Sequence, residues 1–545
     1  MDDDKLFVIA IGGTGMRCLE SFVHLCAAGM FDNKEIDILT LDTDQGNGNK
    51  SRVEGLIGLY NKIKTNDSAN PGGSPNANTF FSAKLNLYTF ATEYGNSERK
   101  NFRTLSRLNS GSAEQKQDND DLADLFLDKE TVQNFNLDHG YRAQTHLGSM
   151  LMYHGILEAA REIKSGKNSQ NKFAQNLSSF IDLIHKNSSR ARVFIFGSVF
   201  GGTGASSIPV VPIALRDAMT ILSGGGGATF NLNQIKFGST LLTDYFSFAN
   251  PSDSQINREG VIANSKNFAL NSQAALQFYL GDPTVKACYK RLYHIGWPSQ
   301  EKTEFKNSDA NTETITGGDK QKNPAHVVEL MCAAAAYDFF TAPINEQQAT
   351  YLYRCAELDD NGRLRLTGRS FMDDGEKFEN KFGALLSFAH ISLSKHLGAF
   401  GMSGTEGFLE RFNKQGIFDY DSITAEQSKE IDDYLKLFAY NFVGEKLKKG
   451  WIYQINDTVP GSFVFSPDAF RTDVRELRKI DPGKVFNDDA HNWRAGKFGI
   501  GNSYDQFIKG LTKTGYSDDQ NVSTVKEQFL GHLYNAITEA QGFNY

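Results

Sequence analysis

Hydrophobic and polar positions fall into blocks that predict alternating strands and helices. Lys5 to Ile11 (KLFVIAI) is an apolar run rich in β-branched and aromatic residues, stopped by Gly12-Gly13-Thr14-Gly15. That pattern predicts a buried strand ending in a tight turn. Met16 to Ala28 then sets Leu19, Phe22, Val23 and Cys26 on one helical face, with Gly29 as the stop. Ile36 to Leu41 (IDILTL) predicts a second strand, ending at Asp42-Thr43-Asp44. Strand, helix, strand in this order is a βαβ unit, and it implies a parallel sheet in an α/β fold.

Gln45 to Asn78 and Ser110 to Asp121 are rich in polar residues and read as exposed loops or insertions. Helices are expected over 149–164 and 173–185, a strand over 191–199, and an apolar helix over 208–222. Gly224 to Gly227 reads as a flexible tip. A strand over 235–242, a long helix over 261–280, a strand over 291–296, a polar loop over 299–322 and an apolar helix over 327–340 complete this part. Beyond Ala342 the pattern predicts a hairpin over 350–367, turning at Asp360-Asn361-Gly362, then amphipathic helices over 382–395 and 431–448. No repeat of 20 to 50 residues is evident.

Composition narrows the function classes. The chain has 545 residues, enough for two or three domains, and a formal charge of -8 from 57 basic and 65 acidic residues. That balance argues against direct nucleic-acid binding or attraction to anionic membrane. The five cysteines form no CxxC pair and read as small buried hydrophobes, so neither disulfides nor metal ligands are expected. Met1-Asp2-Asp3-Asp4 is acidic where a secretory signal is basic, and no apolar run approaches the roughly 20 residues that span a bilayer. The expectation is a cytoplasmic protein without a membrane span.

The 50 glycines matter through their placement. Two clusters, Gly12 to Gly15 and Gly201 to Gly204, each join a predicted strand to a predicted helix. Backbone amides at a helix N-terminus, unobstructed by Cβ atoms, attract anions such as phosphate. On strands of one parallel sheet, two such loops can face the same edge, as a polyphosphate requires. Taken alone, the first loop also fits a Rossmann-type NAD or FAD oxidoreductase, with Asp42 or Asp44 as the ribose-binding acid. It departs from GxGxxG spacing, and that alternative gives the second loop no role. No GxxxxGK followed by Ser or Thr occurs, which excludes a P-loop.

Phe200-Gly201-Gly202-Thr203-Gly204-Ala205-Ser206-Ser207-Ile208-Pro209-Val210-Val211 resembles the signature phosphate loop and helix of the tubulin/FtsZ superfamily, GGGTG with Ser or Thr and a last Gly, then an apolar AAPVVA run. Val8 to Gly15 resembles its first phosphate loop, Asp42-Thr43-Asp44-Gln45 its NTDAQ segment, and Gly140 to Gly148, with Arg142, Thr145 and His146, its γ-phosphate-sensing loop. Phe237 to Phe248 is similar to its sugar-binding strand and loop, and Asn271, with Phe268 nearby, to its base-reading asparagine and stacking ring. Phe200 and Ser206 replace glycines of the signature, and Asn267 stands where the family has the stacking aromatic.

The resemblance covers about residues 5 to 340 and implies a bacterial or phage-type tubulin-like protein. It implies GTP, with Mg2+ as its candidate counter-ion, held by Gly12, Gly13, Thr14, Gly15, Asp42, Asp44, Gly148, Gly201, Gly202, Thr203, Gly204, Ala205, Ser206, Phe268 and Asn271. The implied fold is a Rossmann-like parallel sheet of tubulin/FtsZ type: a nucleotide-binding domain over 1–260, a central helix over 261–285, an activation-type α+β domain over 286–400 and a mostly helical region over 401–545. It further implies head-to-tail filaments with GTPase chemistry at each interface, and an adaptor protein as a candidate partner. Asn323, His326 and Glu329 are the match to the family's NxDxxD or NxDxxE catalytic loop, with a histidine in place of an aspartate. The alternatives are that Asn323 caps a helix with Pro324 in its first turn while Glu329 is a solvated or internally paired acid, and that the chain is a nonpolymerising GTP-binding sensor or scaffold.

Overall fold

A computed structural model describes residues 4–91 apart from 45 and 66–69, then 102, 111–135, 138–141, 144–166, 172–223, 234–259, 263–305, 317–396 apart from 346 and 359, 425–458 apart from 444–445, and 507, 510 and 525–541. Arg142 and Gly224 to Gly227 lie outside the described residues, as do 401–424.

The strands of one sheet are β1 (Lys5–Ile11), β2 (Glu35–Asp42), β3 (Lys84–Ala91), β4 (Ala191–Phe196), β5 (Lys236–Leu242), β6 (Tyr289–Ile295) and β7 (Thr350–Arg354). Their order is β7-β6-β5-β4-β1-β2-β3, and every pairing is parallel. Such a sheet is buried on both faces, which is why its strands read as continuous apolar runs.

The helices used below are α1 (Gly12–Ala27), α2 (Gly48–Lys64), α3 (Ala113–Phe126), α4 (Thr145–Lys164), α5 (Lys172–Lys186), α6 (Gly202–Ser207), α7 (Val211–Leu222), α8 (Phe268–Gly281), α9 (Val327–Thr341), α10 (Gly375–His396), α11 (Ala425–Phe438), α12 (Trp451–Thr458) and α13 (Val525–Gln541). Successive β1 residues serve two cores. Leu6, Val8 and Ala10 join Met16, Leu19, Phe22 and α9 on one face. Phe7, Ile9 and Ile11 join Leu151, Ile156 and Phe180 on the other. The Phe7 and Phe180 rings meet edge to face at 5.6 Å.

Several expectations change. Residues 48–64 are a helix, not a loop: Asn47 caps it by accepting from the amides of Asn49 and Lys50 at 2.9 and 3.3 Å, and Val53, Leu56, Ile57, Tyr60 and Ile63 are buried at helical spacing. Residues 113–126 are also helical, with a Ser112/Gln115 capping box, although Ala123 is the one residue of that helix that is buried. α1 starts at Gly12 rather than Met16. The helix expected over 261–280 begins at Phe268 after a 3-10 turn, Ser265–Asn267. The hairpin expected over 350–367 is split: Thr350–Arg354 is a parallel edge strand, and Glu357–Leu358 pairs antiparallel with Leu364–Arg365. The helix expected over 431–448 stops at Phe438 and gives way to an antiparallel pair, Tyr440–Val443 with Lys446–Lys449.

The division at residue 260 does not break the sheet, because β6 and β7 continue it. The helix embedded in the body is α9, buried except at Asp338 and Thr341, whereas α8 exposes much of its surface. The C-terminal elements wrap the α1 side, where His24 donates to or accepts from Tyr434 of α11 at 2.9 Å and packs on Trp451 of α12. No helix among the described residues is long and apolar enough to cross a membrane.

Candidate functional site

The carboxyl ends of β1 and β4, adjacent in the sheet, feed chains that leave in opposite directions, β1 toward β2 and β4 toward β5. In open α/β sheets this crevice is where ligands bind. A cleft opens there, lined by Gly12, Gly13, Thr14, Asp42, Asp44, Gly201, Gly202, Thr203, Gly204, Phe268 and Asn323, all named from the sequence. Tyr141, from the segment Gly140 to Gly148, and Phe246 and Phe248, from the segment Phe237 to Phe248, line it too, together with Asn47, Ser198 and Gln321, which the sequence does not single out.

The glycines do different work. Gly12 has φ +67° and a Cβ there would lie 2.9 Å from Thr203 Cβ, so the two loops touch. A Cβ at Gly15 would lie 2.6 Å from the Phe196 carbonyl oxygen, and one at Gly204 2.6 Å from that of Ser198. Gly148 faces the Tyr141 ring and Ser206 Oγ at 2.4 and 2.8 Å on the same construction. Gly15 and Gly148 are therefore required for packing behind the cleft rather than within its lining.

Ala205 and Ser206 also sit behind the wall. Ser206 Oγ donates to the Thr203 carbonyl at 3.0 Å, and Tyr279 donates to the Ala205 carbonyl at 2.7 Å. Asn271 Nδ2 donates to the Phe200 carbonyl at 3.3 Å, so that side chain braces the second loop. The Phe200 ring, which lines the cleft, packs into an aromatic wall with Tyr245, Phe246 and Phe268.

The floor is acidic. Asp42 is buried, its Oδ1 accepts from the Asp44 amide at 3.2 Å, and its Oδ2 has no hydrogen-bond partner among the described residues. Burial, and then the neighbouring Asp44 charge, pushes its carboxyl up to about 7. Asp44 accepts from the amides of Gly46 at 3.1 Å and Gly318 at 2.6 Å. Among the described lining residues none is Lys or Arg, so an anion would rely on backbone amides and the α1 dipole. No cluster of three or more His, Cys, Asp or Glu side chains occurs among the described residues. A divalent ion at Asp42 and Asp44 would take its remaining oxygen ligands from phosphate and water.

Residues 318–323 form a strap along one rim. Gly48 donates to the Gly318 carbonyl at 2.9 Å, and Asn47 Nδ2 to Gln321 Oε1 at 2.8 Å. Asn49 pairs twice with Asn323, donating from Nδ2 at 2.8 Å and accepting from the Asn323 amide at 3.1 Å. Paired backbone and side-chain contacts between segments so far apart in sequence leave no local signal.

His326 and Glu329 lie apart from the cleft lining. Both are 0% exposed and form the capping box of α9: His326 Nδ1 accepts from the Val328 amide at 3.2 Å and Glu329 from the His326 amide at 3.1 Å. Glu329 also accepts from Tyr245 at 2.7 Å and from Arg17 Nη2 at 3.2 Å, while Arg17 binds Glu20 as well. Burial raises the Glu329 pKa and brings His326 down to about 3, a neutral ring wedged between Tyr245 and Trp297. Glu329 is thus an internally paired acid, but the cap of α9 is His326 and not Asn323, and neither the His326 nor the Glu329 side chain is on the surface from which a neighbour's phosphate could be reached. Asn323 alone of the three lines the cleft.

In comparison with known proteins, no family model and no curated sequence matches this chain.

Proposed function

We propose that the chain is a tubulin/FtsZ-like GTP-binding protein whose nucleotide occupies the cleft between Gly12–Gly15 and Gly201–Gly204. The observation that carries this reading is the contact of the two glycine loops at Gly12 and Thr203, beside the N-terminus of the 16-residue α1. One phosphate chain can then meet amides from both loops. Phe246, Phe248 and Phe268 offer apolar faces for the base, and the Asp42 and Asp44 carboxyls suit ribose hydroxyls or a phosphate-bound Mg2+. A nicotinamide or flavin reading uses the first loop and leaves the second without a task.

A second reading, a GTP-binding sensor or scaffold that does not turn nucleotide over between subunits, is favoured by one observation: Glu329 is enclosed by Arg17, Tyr245 and the His326 amide. Head-to-tail filaments remain part of the proposal, with GTP at each contact, but hydrolysis there would need an acid other than Glu329. The test is the nucleotide content of the purified protein, titration with GTP, GDP and ATP, and sedimentation with each. Binding of GTP lost in Thr203→Ala supports the site. Purified protein without nucleotide, and with no heat on titration with any of the three, overturns it.

A further inference from the structure

α8 is an unusual surface element. None of its 14 residues is charged, and only Phe268, Ser272 and Tyr279 are buried. Leu270, Phe278 and Leu280 are 66, 51 and 56% exposed. Residues one turn apart share a helix face, so Leu270, Ala274 and Phe278 make one outward stripe, with the small Ala274 midway between two large apolar side chains. A lone exposed apolar residue needs no explanation, whereas a charge-free helix face that carries a leucine and a phenylalanine on either side of an alanine has the composition of an interface core.

Charge decides the occupant. In a two-fold contact every residue meets the same surface of its copy, so any net charge on the face opposes association. The chain carries -8 overall, and α8 offers a face where two copies meet without like charges. The other exposed apolar helix gives the contrast: Leu122, Leu125 and Phe126 of α3 are 57, 77 and 78% exposed but sit among Glu114, Asp118 and Asp121, which a second copy would bring together.

We infer that two copies of this chain pair through α8, antiparallel about a two-fold axis at Ala274, with Leu270 of each facing Phe278 of the other. One helix face buries less than the roughly 800 Å² per partner of a standard interface, so the dimer is concentration-dependent rather than obligate. The contact is isologous and closes on itself, unlike a head-to-tail contact, and it is independent of nucleotide.

The test is sedimentation velocity of the full chain over a wide concentration range, with and without GTP, together with disulfide trapping of Ala274→Cys. The expected result is a mass that doubles with concentration without GTP, lost in Phe278→Glu at unchanged Tm, and, with or without GTP, a covalent dimer from Ala274→Cys under mild oxidation that the unmodified chain does not form. Four native cysteines are buried and Cys355 is half-buried, so the unmodified chain is a clean control. A monomer at every concentration, growth beyond the dimer without Ala274→Cys trapping, or a dimer that survives Phe278→Glu overturns the inference. None of these outcomes depends on whether the cleft binds GTP.

Discussion

Gly12 and Thr203, 191 positions apart, touch across the mouth of the sheet: a Cβ on Gly12 would sit 2.9 Å from Thr203 Cβ. Gly12, with a positive φ of +67°, is the first residue of α1 and lines the cleft. Gly12→Ala therefore combines backbone strain with a clash, and it should cost about 1–3 kcal/mol of stability while weakening GTP binding. Urea unfolding beside a GTP titration checks both. Gly13→Ala, where φ is ordinary and the nearest atom is 3.4 Å away, should keep the stability.

Glu329 closes a buried network with Arg17 and Tyr245. Glu329→Ala leaves the Arg17 guanidinium, 1% exposed, with Glu20 alone for its charge. The expected loss is about 3–5 kcal/mol in urea unfolding, as for other buried pairs broken on one side. A role in turnover alone predicts unchanged stability and a slower phosphate release, so the two measurements separate the roles.

Asp42 makes stability depend on pH with a definite sign. Its folded pKa, about 7, lies above the unfolded value of about 3.9, so between these values the folded state holds more protons. The contribution is full at low pH and is lost as pH rises through 7. Asp42→Asn should therefore raise Tm relative to the parent at pH 8, with an advantage that shrinks as pH falls below 7 and is lost only below about pH 4. Differential scanning calorimetry of both proteins reads it, and the His326 contribution, which changes below its unfolded value, cancels in the difference.

Asn49 holds the strap to α2 through two hydrogen bonds to Asn323. Asn49→Ala removes both, about 1–3 kcal/mol if each is worth about 0.5–1.5. If the strap shapes the cleft, GTP affinity should fall on the order of 10-fold, since about 1.4 kcal/mol is a factor of ten. Hydrogen exchange should show residues 317–323 losing protection while β1 and β4 keep theirs.

The parallel sheet was legible because its strands are apolar on both faces: β1, β2, β4 and β5 stand within a few residues of their expected limits. α2 was not, since Asn47, Gly48 and Asn49 look like loop chemistry until Asn47 is seen capping a helix whose buried residues are spread among polar ones. β7 reads as part of a hairpin because a local turn at Asp360 to Gly362 is visible in sequence, whereas parallel pairing with β6, some 60 residues earlier, is not.

By itself, then, the sequence determined an α/β chain with two glycine loops at strand ends, because hydrophobic period and glycine placement are local properties. Only the tertiary structure decided that Gly12 meets Thr203, that Gln321 and Asn323 border the same cleft, and that Glu329 is sealed beneath it by Arg17 and Tyr245. The reason is physical: whether a polar side chain faces a ligand or a buried partner depends on which distant elements pack against it, and no periodicity along the chain records that.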